Sequence, residues 1–206
     1  MIQNRGVRKG VLIVGDSLPT NQFTLKNINS VLDPRHTVYN SLIVPIKYYL
    51  NNYLNSFGYR LPMEECETDF IYYINAVQDP RTKIKPDLSE LEREVIRPDH
   101  KIILSMGSFA FRCVDVILNP NNKIKKSYSI EDLGNEFRKR IFEYRPKLHL
   151  PILHNVANLR FERTKDFIVD DGNNYISYFH YVGVSLGKLL LNHKEEFNFI
   201  QSLVNK

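Results

Sequence analysis

The sequence predicts an α/β protein, a three-layer α/β/α sandwich around a central, mainly parallel four-stranded sheet. Three observations carry this. Four apolar runs, at residues 11–15, 70–77, 101–105 and 150–154, each end in a polar residue or a tight turn. Strands buried on both faces read this way, whereas half-exposed strands alternate. Segments with helical spacing separate the runs, the alternation that builds a parallel sheet. The third observation is size and composition: 206 residues, 43% hydrophobic and 25% charged, suit one ordinary core, so a single domain over residues 1–206 is expected.

The elements follow in order. Residues 11–15 form the first strand, and residues 16–29 a polar loop whose place after a strand makes it a candidate site loop. Leu42, Ile46, Tyr49, Leu50 and Tyr53 fall at near-helical spacing, which predicts a helix over residues 38–54 with Pro45 near its start. Tyr48, Tyr49 and Tyr53 are read as packing. Residues 70–77 are the second strand. Asp87-Leu88-Ser89-Glu90 opens a helix with a capping side chain and an acidic first turn, and Pro98 stops it. Residues 101–105 are the third strand and 108–118 its helix. Residues 119–129, with Lys123, Lys125 and Lys126, read as a solvated basic loop. Residues 132–144 are helical or irregular, and 150–154 the last strand. Residues 175–204 form one or two helices, with Gly183 and Gly187 as breaks.

Several function classes drop out. No apolar run approaches the roughly 18 residues of a membrane span. Residues 1–10 carry Arg5, Arg8 and Lys9 without an apolar stretch, so they do not read as a secretory signal. Cys66 and Cys113 lack ligand spacing, which argues against zinc or an iron–sulfur cluster and for a reducing, cytoplasmic compartment. Gly15 stands without the further glycines of dinucleotide or P-loop sites, and no Gly-x-Ser-x-Gly elbow is present. The net charge of +5 is compatible with a polyanionic partner.

The groups that close the apolar runs are the candidate site residues. Asp16 can orient a water or cap a following turn. Asn75 presents a donor and an acceptor together, and can read a base edge or tie down a loop. Gly107 and Ser108 open a helix whose N–H groups can hold a phosphate, or Ser108 can simply cap it. His154 can stabilise a departing anion or bond to backbone. Leu159 beside Arg160 could place an apolar wedge in a base stack and a cation on a phosphate.

Together these segments resemble the uracil-DNA glycosylase superfamily, in particular the branch that includes thermostable iron–sulfur enzymes. The resemblance runs from Val11 to about Arg160. Its most specific stretch holds Tyr72-Tyr73-Ile74-Asn75-Ala76-Val77, the helix ending at Arg97-Pro98, and Ile102-Ile103-Leu104-Ser105-Met106-Gly107-Ser108. The departures are Ser17-Leu18 before Pro19, Asn155-Val156 after His154, and the absence of the cluster cysteines.

The resemblance implies removal of a flipped base, uracil first, by hydrolysis of the N-glycosidic bond. Asn75 would read the base, Asp16 position the water and His154 stabilise the leaving anion. Tyr39 or Phe23 would stack on the base, with Ser17, Gly107, Ser108, Leu159 and Arg160 toward the DNA. The partner would be single- or double-stranded DNA bound by a monomer, with no cofactor or metal. The alternatives are a non-catalytic nucleic-acid- or protein-binding protein on this fold, and a glycosylase for another base.

Overall fold

A computed structural model describes residues 10–17, 38–62, 70–77, 86–121, 125–143, 145, 147–154, 164–168, 174–197 and 199–203. Four strands form the central sheet: β1 (Gly10–Ser17), β3 (Ile71–Val77), β4 (His100–Met106) and β5 (Leu148–Ile152). Their order is β3-β1-β4-β5 and every pairing is parallel. Val14 lies opposite Ile74, Gly15 opposite Asn75, and Leu104 opposite Leu150. A small antiparallel ribbon joins β2 (Tyr59–Arg60) to β6 (Gln201–Ser202).

The strands are apolar throughout because each face meets a layer of helices. Val11, Ile13, Ile71, Ile102 and Leu150 pack with α1 (Val44–Asn55), α4 (Ile130–Phe142) and α5 (Tyr178–Asn192). Leu12, Val14, Ile74 and Ile103 pack with α2 (Ser89–Val95) and α3 (Gly107–Leu118). Alternate residues of one strand thus serve two cores, as the period of two requires. The predicted three-layer α/β/α sandwich with a parallel four-stranded sheet is what the chain forms.

Local chemistry sets the helix starts. Ser129 Oγ accepts from Asp132 N while Asp132 returns a bond to Ser129 N, a complete capping box before α4. That resolves residues 132–144 as helix, starting two residues earlier. Ser177 Oγ accepts from His180 N and caps α5. Five residues of π-helix, Tyr39–Ile43, precede α1, with Pro45 in its first turn where no N–H is missed.

Three expectations need correction. The helical reading of residues 175–204 holds only to Asn192, and Gln201–Ser202 form a strand because they pair with Tyr59–Arg60. Gly183 and Gly187 do not break the last helix, which runs unbroken from Tyr178 to Asn192. They are contact points instead. A Cβ on Gly183 would stand 2.8 Å from Leu50 N and 2.9 Å from Ile46 O, and one on Gly187 would meet the Tyr53 ring. Their missing side chains let α5 lie against the α1 backbone, parallel to it. The last strand is Leu148–Ile152, not 150–154, because Leu148 to Ile152 pair with Ile102 to Met106 of β4. His154 therefore lies two residues beyond the strand.

Among the described residues, no helix is long and apolar enough to cross a membrane.

Candidate functional site

From β1 the chain crosses to β3 on one side and later to β4 on the other. The carboxyl ends of β1 and β4 thus flank a topological switch point, where open α/β sheets bind ligands. Asp16 stands at the end of β1 and is half-buried. Its Oδ1 accepts from the Ala110 N–H at 3.1 Å, in the first turn of α3. The partial positive charge of that helix end favours the carboxylate.

Gly107 joins β4 to α3 with φ +84°, a conformation that L side chains rarely adopt. A Cβ there would lie 3.2 Å from the His154 Cβ and 3.8 Å from Asp16 Oδ1. Glycine thus leaves open the ground between the carboxylate and the histidine. Both predicted groups come to the same small region, Asp16 from β1 and His154 from the segment just after β5.

Asn75 joins them through β1. It lies opposite Gly15, whose Cβ would be 2.6 Å from Asn75 Oδ1 and would overlap the Tyr73 hydroxyl. The Tyr73 hydroxyl donates to Asn75 Oδ1 at 2.7 Å, across the bare backbone of Gly15. Burial first, and the Asp16 charge second, push the Tyr73 phenol above its ordinary pKa. It stays protonated and remains a donor. With Oδ1 oriented by Tyr73, the Asn75 amide is held in one sense, and its Nδ2 hydrogens and the second Oδ1 lone pair are the groups left to meet a ligand. Sequence reasoning missed Tyr73. The available signal was its position two residues from Asn75, on one face of a strand beside a glycine.

The other predicted residues divide. Ser108 Oγ accepts from Tyr128 N at 2.8 Å and so ties the segment before α4 to the start of α3. Tyr39 is a buried member of the core at the start of the π-helix, with Lys47 Nζ 6.0 Å from its ring centre. Ser17 ends β1 opposite Val77. Phe23, Leu159 and Arg160 lie outside the described residues, as does Lys123. Lys125 pairs with Asp132 at 2.7 Å.

A second polar cluster occupies the α3 side of β4 and β5. Arg140 donates to His149 Nδ1 at 3.1 Å and to Asp115 Oδ1 at 2.9 Å. His149 Nε2 lies 2.8 Å from Ser105 Oγ. Since arginine only donates, Nδ1 must be the acceptor and Nε2 carries the hydrogen. Burial, then Arg140, hold the His149 pKa well below its ordinary value. The Ser, His and Asp stand in a row, but the imidazole donates to the serine and Ser105 is fully buried. This cluster ties α3, α4 and the sheet together and is no nucleophile site. Its members are far apart in sequence, so periodicity could not reveal it.

Among the described residues, no group of three or more His, Cys, Asp or Glu side chains could hold a metal ion. No protein-family model and no curated protein matches this chain.

Proposed function

We propose that the chain is a DNA glycosylase-like protein that removes a flipped base, uracil first, by hydrolysis of the N-glycosidic bond. The observation that carries this reading is the approach of Asp16 and His154 to one point above Gly107, beside the oriented amide of Asn75. Its likeness to the uracil-DNA glycosylase superfamily rests on the same residues.

A base taken out of the stack costs a few kcal/mol, least at a mismatch or in a single strand. Asn75 offers Nδ2–H to the O4 acceptor of uracil, and Oδ1 keeps a lone pair for N3–H. Cytosine presents an amino donor where uracil presents O4, so the oriented amide opposes it. As the C1′–N bond breaks, the electron pair leaves on the base and positive charge grows on the sugar. His154 donates toward the anionic base, a type of contribution worth about 10²–10³ in rate. Asp16 favours the sugar cation and orients the water whose oxygen bonds to C1′. One of the water's protons stays on the new C1′ hydroxyl and the other passes to the departing anionic base, leaving an abasic site.

One observation favours a binding protein without catalysis. Asp16 Oδ1 already serves as a cap on α3. The test is release of free base from oligonucleotides that each carry one uracil, hypoxanthine or xanthine. Asp16→Asn runs beside the wild type, since it keeps an acceptor for Ala110 N but removes the charge. Uracil release that falls in Asp16→Asn supports hydrolysis. DNA binding with no release from any substrate establishes the binding reading, and release confined to a purine moves the specificity.

A further inference from the structure

We propose that Tyr178 is a positioning residue that fixes where His154 stands at the carboxyl end of the sheet. Its expected effect on base release rests on the preceding reading, whereas its effect on the place of His154 does not.

The need for it arises where β5 ends. Ile152 is the last residue of β5 and pairs with Met106 of β4. At the next step β4 turns at Gly107, with φ +84°, into α3 and no longer runs beside Leu153. Leu153 is buried, and a buried N–H calls for a partner. The Tyr178 hydroxyl is that partner: its oxygen accepts from Leu153 N at 2.8 Å. Burial pushes the Tyr178 phenol above its ordinary pKa, so it stays neutral and a lone pair of its oxygen takes the bond. The next residue is His154.

Tyr178 can hold this backbone because it is itself held. It is the first residue of α5, whose start is fixed by the Ser177 cap. Its side chain is fully buried, with its ring centre 5.1 Å from that of Phe167 in an edge contact. Phe167 is fastened in turn to α4. Arg138 donates to Phe167 O at 2.6 Å, and Gly134 admits the Phe167 backbone where a Cβ would overlap it. A chain of contacts thus runs from α4 through Phe167 and Tyr178 to Leu153.

Two contacts therefore bound the His154 backbone. One is the Gly107 turn, where a Cβ would lie 3.2 Å from the His154 Cβ. The other is the hydroxyl on the peptide just before it. Without the hydroxyl that peptide loses its anchor, and the imidazole moves with it relative to Asp16. A displacement of about 1 Å in a reacting group can cost about 10²-fold in rate.

The experiment is nuclear magnetic resonance of the full chain with 15N-labelled histidine, without DNA. The His154 ring signals, identified by their loss in His154→Gln, are compared between the wild type and Tyr178→Phe. Phenylalanine keeps the ring and its packing and removes only the hydroxyl. The expected result is displaced His154 signals, with faster hydrogen exchange at Leu153 N. Phe167→Leu loosens the support of the Tyr178 ring and should shift the same signals; it decides the matter where Tyr178→Phe does not fold. Ile141→Val, in the core near the end of α4, should lower stability without moving them. In the base-release assay Tyr178→Phe should lower kcat at least about tenfold, with KM nearly unchanged. Unmoved His154 signals in the folded variant, or signals moved equally by Ile141→Val, would overturn the proposal. So would base release by the wild type that Tyr178→Phe matches in kcat. Moved signals beside a wild type that releases no base would uphold the positioning role and contradict the glycosylase reading alone.

Discussion

The Tyr73 hydroxyl donates to Asn75 Oδ1 at 2.7 Å, and Gly15 on the neighbouring strand is the space that permits it. The pair turns an ordinary asparagine into an amide of defined orientation. Tyr73→Phe removes the donor and leaves a nearly buried acceptor, which costs about 1–3 kcal/mol. The expected result is a lower midpoint in urea. In a base-release or base-binding assay, discrimination of uracil from cytosine should narrow. Unchanged stability and unchanged discrimination would show that the hydroxyl does not orient Asn75.

Gly183→Ala separates helix propensity from packing. Alanine is about 1 kcal/mol the better helix former. Here its Cβ would sit 2.8 Å from the Leu50 backbone nitrogen, and backbone does not yield as a side-chain end does. Overpacking of this kind costs about 1–3 kcal/mol, so packing wins and a thermal melt should show net destabilisation. A higher melting temperature would mean that α5 does not rest on α1 in this way.

Gly107→Ala strains the turn between β4 and α3 and crowds His154 from 3.2 Å. Destabilisation of about 1 kcal/mol is expected from the left-handed backbone alone. Base release should fall further than the loss of folded protein explains, because the imidazole is displaced. Circular dichroism and an activity assay on one sample measure both effects.

Stability should fall as the pH drops below about 6.5. Burial lowers the pKa of His149 and of His100, each neutral in the fold. Below the unfolded value the unfolded chain binds more protons, so stability rises with pH through this window and is complete above it. Each group contributes a slope of at most about 1.4 kcal/mol per pH unit. His149→Gln should flatten the dependence between pH 6.5 and 5 in urea melts. An identical slope in the variant would show that His149 does not titrate with unfolding.

The sheet was legible because its strands are continuous apolar runs between helical segments, a pattern set by burial on both faces. The start of α4 was partly legible. Ser129 and Asp132 satisfy each other's backbone within four residues, yet the reading began at Asp132. Strand order was not legible, since nothing local to Val11 says that it lies between Ile71 and Ile102. The last strand was misplaced for a related reason. His149 and Lys147 look like turn residues until Arg140 and Ser105, from elsewhere in the chain, account for the buried imidazole.

The candidate site was readable as residue types at strand ends. Asp16, Asn75, Gly107 and His154 were named from that rule alone. What escaped was the shell that positions them. Tyr73 is one aromatic in an apolar strand, Gly15 a lone glycine, and Ala110 has no reason to matter until its N–H meets Asp16. Glycines 183 and 187 were misread because a glycine in a helix looks like a break until a second helix is laid on it.

The most direct test of the account is the release of free uracil from a single-stranded oligonucleotide by the wild type, Asn75→Ala, Asp16→Asn and His154→Ala. The account predicts release by the wild type and a fall of about 10²-fold or more in Asp16→Asn and His154→Ala, with Asn75→Ala also losing preference for uracil over cytosine. A folded wild type that releases no uracil, or three variants that release it at the wild-type rate, would contradict it.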